Sequence, residues 1–420
     1  MDSFLVRGGK RLEGQLRVDS AKNAVLPILA ASVLTEQPVT LHDVPCITDA
    51  EHMLEILAIL GAKTRRDGRD VTVDSMDLHT WEMPDRLSKQ IRSSIFLLGP
   101  ILSRFHQATV TYPGGCEIGL RPIDLHLNGL RSLGVRVTEE GGLIHCDGTH
   151  MHAGEIHFDY PSVGATENVM MAAVLLEGTT TIHNAAREPE IVDLQGFINA
   201  MGGDVRGAGE HTIKVCGVKK LHGAVWKPIP DRIVAGTLLA AAAITGGEIE
   251  LLNAPVDDMV ATIAKLREMG CTVHEAESRL HLIAPGRLRA FAQLQTQPHP
   301  GFPTDMQVQM LALLTVAEGT GVVVENVFEN RFTHAGDLNR MGANVLVNGR
   351  TAVVQGVKRL YGARVTARDL RGGAALAIAG LRAEGETLVE HAELIDRGYD
   401  RMENMLCALG ADVKRVAIEA

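Results

Sequence analysis

The stretch Val260-Ala261-Thr262-Ile263-Ala264-Lys265-Leu266-Arg267-Glu268-Met269-Gly270-Cys271 organises the reading of the whole chain. Val260, Ile263, Leu266 and Met269 fall three residues apart, which places them on one face of a helix. Gly270 then supplies a left-handed cap from which the chain leaves the helix and enters a strand. The same ending, an apolar residue, Gly and a small residue, occurs six times: the other copies are Leu60-Gly61-Ala62, Leu133-Gly134-Val135, Met201-Gly202-Gly203, Met341-Gly342-Ala343 and Leu409-Gly410-Ala411. Alternating segments such as Thr212-Ile213-Lys214-Val215 and Ala352-Val353-Val354-Gln355 have the two-residue period of strands.

A second element recurs in register. Gly9-Lys10-Arg11-Leu12-Glu13-Gly14 matches Val218-Lys219-Lys220-Leu221-His222-Gly223 and Val357-Lys358-Arg359-Leu360-Tyr361-Gly362. Each copy leads into an almost wholly apolar helix: Ala24 to Val33, Ile233 to Ile244 and Ala374 to Leu381, with counterparts from Ser93, Ala165 and Met306. A helix apolar all round is buried all round. The chain is therefore expected to be α/β (α+β), six repeated strand-helix units in two domains of three, with buried helices surrounded by sheets. The buried helices are expected to start near Lys22, Arg92, Gly164, Arg232, Asp305 and Arg371, at intervals of 70, 72, 68, 73 and 66 residues. Helix N-termini attract anions, and four of these six positions add a cation where acids are the usual choice. Solvated helix-start residues are the plainer reading.

Composition narrows the function. With 41 Lys and Arg against 51 Asp and Glu, the net charge is −10, and no basic stripe points to nucleic acid. No apolar run is long enough for a membrane span, and Met1-Asp2-Ser3-Phe4-Leu5-Val6 lacks the pattern of a secretory signal, so a cytoplasmic protein is expected. The six cysteines (Cys46, Cys116, Cys146, Cys216, Cys271, Cys407) are scattered without metal-ligand spacing, and read as free thiols except Cys116. Cys116 stands in the turn-rich Tyr112-Pro113-Gly114-Gly115-Cys116, where a mobile lid could deliver a thiol; an inert loop thiol is the alternative. No dinucleotide, P-loop or metal motif stands out, and no cofactor or metal is expected.

The longer motifs carry a resemblance that runs from about residue 4 to 416. They include Ala21-Lys22-Asn23-Ala24, Pro113-Gly114-Gly115-Cys116-Glu117-Ile118-Gly119, Arg121-Pro122-Ile123-Asp124-Leu125-His126 and Ser162-Val163-Gly164-Ala165-Thr166-Glu167-Asn168. Further on come Asn184-Ala185-Ala186-Arg187-Glu188-Pro189-Glu190, Gly301-Phe302-Pro303-Thr304-Asp305-Met306-Gln307, Phe328-Glu329-Asn330-Arg331-Phe332, Asp369-Leu370-Arg371 and Ile395-Asp396-Arg397-Gly398-Tyr399. With these the chain resembles the enolpyruvyl transferases, and within them the branch acting on UDP-N-acetylglucosamine. The resemblance implies a two-domain inverse α/β barrel, residues 22–229 forming one domain, 1–21 with 230–420 the other, and an active site in the cleft between them.

The implied substrates are phosphoenolpyruvate and UDP-N-acetylglucosamine, and the implied reaction is addition followed by elimination. It needs a base for the sugar hydroxyl, an acid for the methylene carbon, and cations for a carboxylate and a phosphate. By resemblance Cys116 is the general acid, able to form a phosphoenolpyruvate adduct and to be alkylated by a phosphonate epoxide such as fosfomycin. Asp305 is the implied base, although Asp at a helix start is also an ordinary cap. Lys22, Arg121 and Arg397 are the implied clamp on phosphoenolpyruvate, with Arg371 nearby. Asn23, Arg92, Arg121, Pro122, Ile123, Asp124, Leu125, Ser162, Val163, Gly164, Asp305 and Val327 match the nucleotide-sugar positions. Two residues depart from the family pattern: Ser20 stands where Gly is usual and Val234 where Glu is common. The shikimate-pathway enolpyruvyl transferase and a weakly active regulatory paralogue are the competing readings.

Overall fold

The computed structural model describes residues 2–84, 87–88, 92–112 and 123–417, the side chain of Arg92 excepted. Contacts divide these into two compact units, one made of 20–112 and 123–229, the other of 2–19 and 230–417. Both are built from one pattern, seen plainly in the fifth repeat. Strand Gln293–Gln295 leads to helix Thr304–Leu314, strand Thr320–Val324, helix Ala335–Arg340 and the hairpin Asn344–Asn348 with Thr351–Gln355. The first two strands are parallel, because a helical crossover separates them, and the last returns antiparallel beside the second. Among the described residues the repeats give six separate sheets, five of four strands and one of three, and none closes on itself.

The repeats exchange strands at their ends. Glu13–Arg17 is the parallel first strand beside Glu248–Leu252, and Asp2–Arg7 lies between Glu386–Glu390 and Asp412–Ala417. Val225–Trp226 completes the sheet of Val39–Leu41 in the same way. The N-terminal strands thus belong to the unit of the last three repeats, and the chain passes between units at 19–20 and again at 229–230. Asp193 anchors the second passage, accepting from Trp226 Nε1 at 3.0 Å and from the Ile229 N–H at 3.1 Å.

The inner helices are the expected ones: Lys22–Ala31, Leu98–Phe105, Val163–Ala173, Arg232–Thr245, Thr304–Leu314 and Leu370–Arg382. Their apolar residues are fully withdrawn from water, as in Met310, Leu311, Leu313 and Leu314, each 0% exposed. Each such large side chain contributes roughly 1.5–3 kcal/mol by the area it removes from solvent. In the second unit the three inner helices pack on one another and on their own sheets, the fifth and sixth meeting at Val308, Ala312 and Ala375. The second inner helix differs from expectation: Arg92–Leu97 is a 3-10 segment and the α-helix begins only at Leu98. Pro100 falls in the first turn of that α-helix, where its missing N–H forfeits no intrahelical bond. The outer helices end as predicted, with all six repeat glycines at φ between 87° and 110°. No described helix is long and apolar enough to cross a membrane.

Candidate active site

Five of the six expected helix starts match α-helix boundaries within one residue, and the sixth, Arg92, opens the 3-10 segment. Two of them bring functional side chains into well-defined surroundings. In the first unit Lys22 opens its helix, and its Nζ lies 2.7 Å from Oδ2 of Asp49, which is 1% exposed. Asp49 comes from the first turn of the outer helix Thr48–Leu60, so the two helices are tied at their N-terminal ends. Asn23 follows Lys22 and is half-buried. Ser20 is buried and its hydroxyl donates to the Pro228 carbonyl at 3.1 Å. Its φ is not left-handed, so the position makes no demand that only Gly could meet.

The Ser162-Val163-Gly164 stretch opens the third inner helix, and the Ser162 hydroxyl accepts from the Ala165 N–H at 3.4 Å. The first-turn N–H groups of Val163 and Gly164 have no acceptor within the helix. Behind them sits a buried network that sequence reasoning missed. The Gly99 N–H donates to Asn168 Oδ1 at 2.7 Å, which fixes the amide; Asn168 Nδ2 then donates to Ile95 O at 3.0 Å and to His126 Nδ1 at 2.8 Å. His126 must therefore be neutral with its proton on Nε2. A Cβ on Gly164 would lie 2.8 Å from His126 Cε1, which explains Gly there: the imidazole fills the space. Ile123 and Leu125 pack into the same core and Asp124 is exposed at the start of Asp124–Ser132. The expectations at Cys116, Arg121 and Pro122, and for the side chain of Arg92, fall outside the described residues.

In the second unit the starts of the fifth and sixth inner helices converge. Asp305 Oδ1 accepts from Arg331 Nη2 at 2.7 Å, and Oδ2 lies 3.2 Å from Arg371 Nη2 and 3.3 Å from its Nε. Both guanidinium groups are almost wholly buried while Asp305 keeps a quarter of its side-chain surface. Arg371 also lies over the Tyr399 ring, 5.2 Å from its centroid. Thr237 donates to Ile233 O, so its oxygen accepts from Tyr399 at 2.8 Å and from Gln309 Nε2 at 3.0 Å, joining the fourth and fifth inner helices to the ring that Arg371 covers. Asp369 caps the sixth helix through the N–H groups of Arg371 and Gly372. Beside it His334 is wholly buried, and burial holds its pKa well below the usual histidine value, so it is neutral. Arg397 ends the 3-10 segment Ala392–Arg397, two residues before Tyr399, and the neighbouring Asp396 is held by both Nη atoms of Arg415 at 2.7 and 2.8 Å.

Val327 is half-buried in a turn whose N–H groups are taken by Glu325. Val234 is 5% exposed and packs in the apolar core of its unit, so its departure from the family pattern is absorbed by packing. Burial pushes the thiols of Cys146 and Cys271 up to about 12, which keeps them inert at neutral pH. Among the described residues no group of His, Cys, Asp and Glu has the arrangement to hold a metal ion.

A family model described as EPSP synthase (3-phosphoshikimate 1-carboxyvinyltransferase) matches residues 6–406. The chain belongs to the EPSP synthase family of enolpyruvyl transferases. Within that family it is 50% identical over 416 residues to UDP-N-acetylglucosamine 1-carboxyvinyltransferase 2 of Caldanaerobacter subterraneus subsp. tengcongensis, covering 99% of this chain and 100% of that one. It is 51% identical over 421 residues to UDP-N-acetylglucosamine 1-carboxyvinyltransferase 1 of Symbiobacterium thermophilum, covering 99% and 95%. Among solved structures, the enolpyruvyl transferase NikO from Streptomyces tendae superposes with TM-score 0.90 at 24% identity over 100% of this chain and 99% of that one. EPSP synthase from Acinetobacter baumannii follows at TM-score 0.77 and 18% identity, over 99% and 100%. At those identities the structures speak for the enolpyruvyl transferase fold alone.

Proposed function

We propose that this enolpyruvyl transferase moves the enolpyruvyl group of phosphoenolpyruvate onto the 3-hydroxyl of UDP-N-acetylglucosamine with release of phosphate, the first committed step of peptidoglycan synthesis. The observation that carries the reading is the half-identity, over essentially the whole chain, to two enzymes named for that acceptor.

In the proposed reaction the sugar oxygen bonds to C2 of phosphoenolpyruvate while C3 takes up a proton. The C2–O bond to phosphate then breaks as C3 gives a proton up again. Asp305 takes the hydroxyl proton; Arg331 and Arg371 hold its two oxygens in fixed directions. Cys116 delivers the proton to C3 and forms the phosphoenolpyruvate adduct. Lys22, Arg121 and Arg397 neutralise the phosphate and carboxylate, the guanidinium groups as planar forks and Lys22 as a point charge. Asp49 holds Lys22 in place and keeps the ammonium from folding back over its helix. The first-turn N–H groups of Val163 and Gly164 suit a diphosphate oxygen. Asn23, Arg92, the Arg121–Leu125 stretch and Val327 complete the acceptor's surroundings.

Phosphate release from phosphoenolpyruvate, measured with UDP-N-acetylglucosamine and separately with shikimate 3-phosphate, tests the assignment. Turnover is expected only with the nucleotide sugar. Turnover with shikimate 3-phosphate alone would move the enzyme to the other branch, and none with either would leave a ligand-binding relative without catalysis.

A further inference from the structure

Among the third to sixth repeats, the turn after the second strand breaks the internal symmetry in one place. In the third and fourth repeats an Asn follows the last ladder residue at once, in left-handed conformation (Asn184 φ 52°, Asn253 φ 56°). Each donates its side-chain amide to the carbonyl just past the first strand, Asn184 to Phe158 O at 2.7 Å and Asn253 to Val18 O at 2.8 Å. His391 at φ 61° holds the same place in the sixth repeat. The fifth repeat makes the same amide bond, Asn326 Nδ2 to Thr296 O at 3.1 Å, but its Asn comes one residue late and is not left-handed.

The extra residue is Glu325, which is 0% exposed. Its Oε1 accepts from Thr296 Oγ1 at 2.8 Å, the Val327 N–H at 2.8 Å and the Phe328 N–H at 3.1 Å. Its Oε2 accepts from Thr304 Oγ1 at 2.8 Å. Burying a carboxylate costs free energy that only such a set of donors offsets. The sister turns close without one, so closing the turn is not what requires it. What Glu325 adds is a connection. On one side lie Val327 and Phe328, and the Phe328 ring supports Arg331 at 5.7 Å from its centroid. On the other side lies Thr304, the residue before Asp305, which Arg331 itself holds.

We infer that Glu325 is a positioning residue for the transfer, fixing the Val327–Phe328 turn to the helix start that carries Asp305. The acceptor's contact and the base then move as one body. The inference rests on the reading of Asp305 and Val327 given above.

The test is steady-state kinetics on the full chain, per folded enzyme, with thermal unfolding beside it. Glu325→Ala strands the N–H groups of Val327 and Phe328; it is expected to raise KM for UDP-N-acetylglucosamine and lower kcat, each by about tenfold or more, with KM for phosphoenolpyruvate within about threefold. Glu325→Gln keeps an acceptor for those N–H groups, and the Thr304 hydroxyl can turn to accept from the new amide; it is expected to restore both constants to within about threefold. A purely structural role would lower the unfolding temperature and leave both constants of Glu325→Ala unchanged, and that result overturns the inference. Should Glu325→Ala not fold, Thr304→Val releases the helix start alone. A several-fold fall in kcat with KM unchanged then supports the inference, and an unchanged kcat overturns it. Wild-type enzyme inactive on UDP-N-acetylglucosamine would instead defeat the functional reading, before any variant is made.

Discussion

At the residue scale, the chain spends stability on groups that packing alone would exclude. Glu167 is 0% exposed, and neither of its oxygens has a hydrogen-bond partner among the described residues. Burial first, then the charges of Glu190 and Glu188, push its pKa well above the ordinary carboxylate range. The sign of the consequence follows by linkage. An unfolded Glu ionises near about pH 4.3. Between that value and the raised folded pKa the folded state binds more protons, so stability falls as pH rises. Glu167→Gln does not titrate, and its gain in unfolding midpoint over wild type is expected to be larger at pH 8 than at pH 5. Equal differences at both pH values would contradict this. The pairs that orient the proposed chemistry were not legible in the same way. Lys22 and Asp305 stand out at helix starts, but their partners Asp49 and Arg331 lie 27 and 26 residues away and meet them only through tertiary packing. Taken locally Asp49 is only a first-turn acid, and the fold alone reveals that it holds a cation.

At the scale of elements the sequence was far more explicit, because the signals are local and repeated six times. The left-handed glycine that ends each outer helix needs only its own backbone to announce it, and Lys22 and Arg232 mark their helix starts to the residue. The 3-10 opening at Arg92 went unforeseen because apolar content does not distinguish helix types. Equal φ does not mean equal cost of substitution. A Cβ on Gly270 would meet nothing nearer than 3.5 Å, whereas on Gly61 it would lie 2.3 Å from His79 Nδ1 and 2.7 Å from the Asp77 carbonyl. Gly270→Ala is expected to cost about 1–2 kcal/mol from the left-handed backbone alone. Gly61→Ala should cost clearly more, and urea unfolding of the two variants measures the difference. Equal destabilisation would show that the neighbours of Gly61 yield freely.

At the scale of the molecule, two units of the same construction carry different parts of the proposed chemistry. Lys22 and the Ser162–Gly164 turn belong to one; Asp305, Arg371 and Arg397 belong to the other. Strand exchange at the N-terminus ties the sequence ends into the second unit, and the first is an insertion between residues 19 and 230. The proposed reaction requires Lys22 and Arg397 to act on the same phosphoenolpyruvate. A double-mutant cycle on kcat/KM for phosphoenolpyruvate, read by phosphate release at saturating UDP-N-acetylglucosamine, tests that most directly. Lys22→Ala and Arg397→Ala are each expected to lose about a hundredfold or more, and the double variant less than the product of the two losses. Losses that multiply fully, or near-normal turnover in either single variant, would contradict the account.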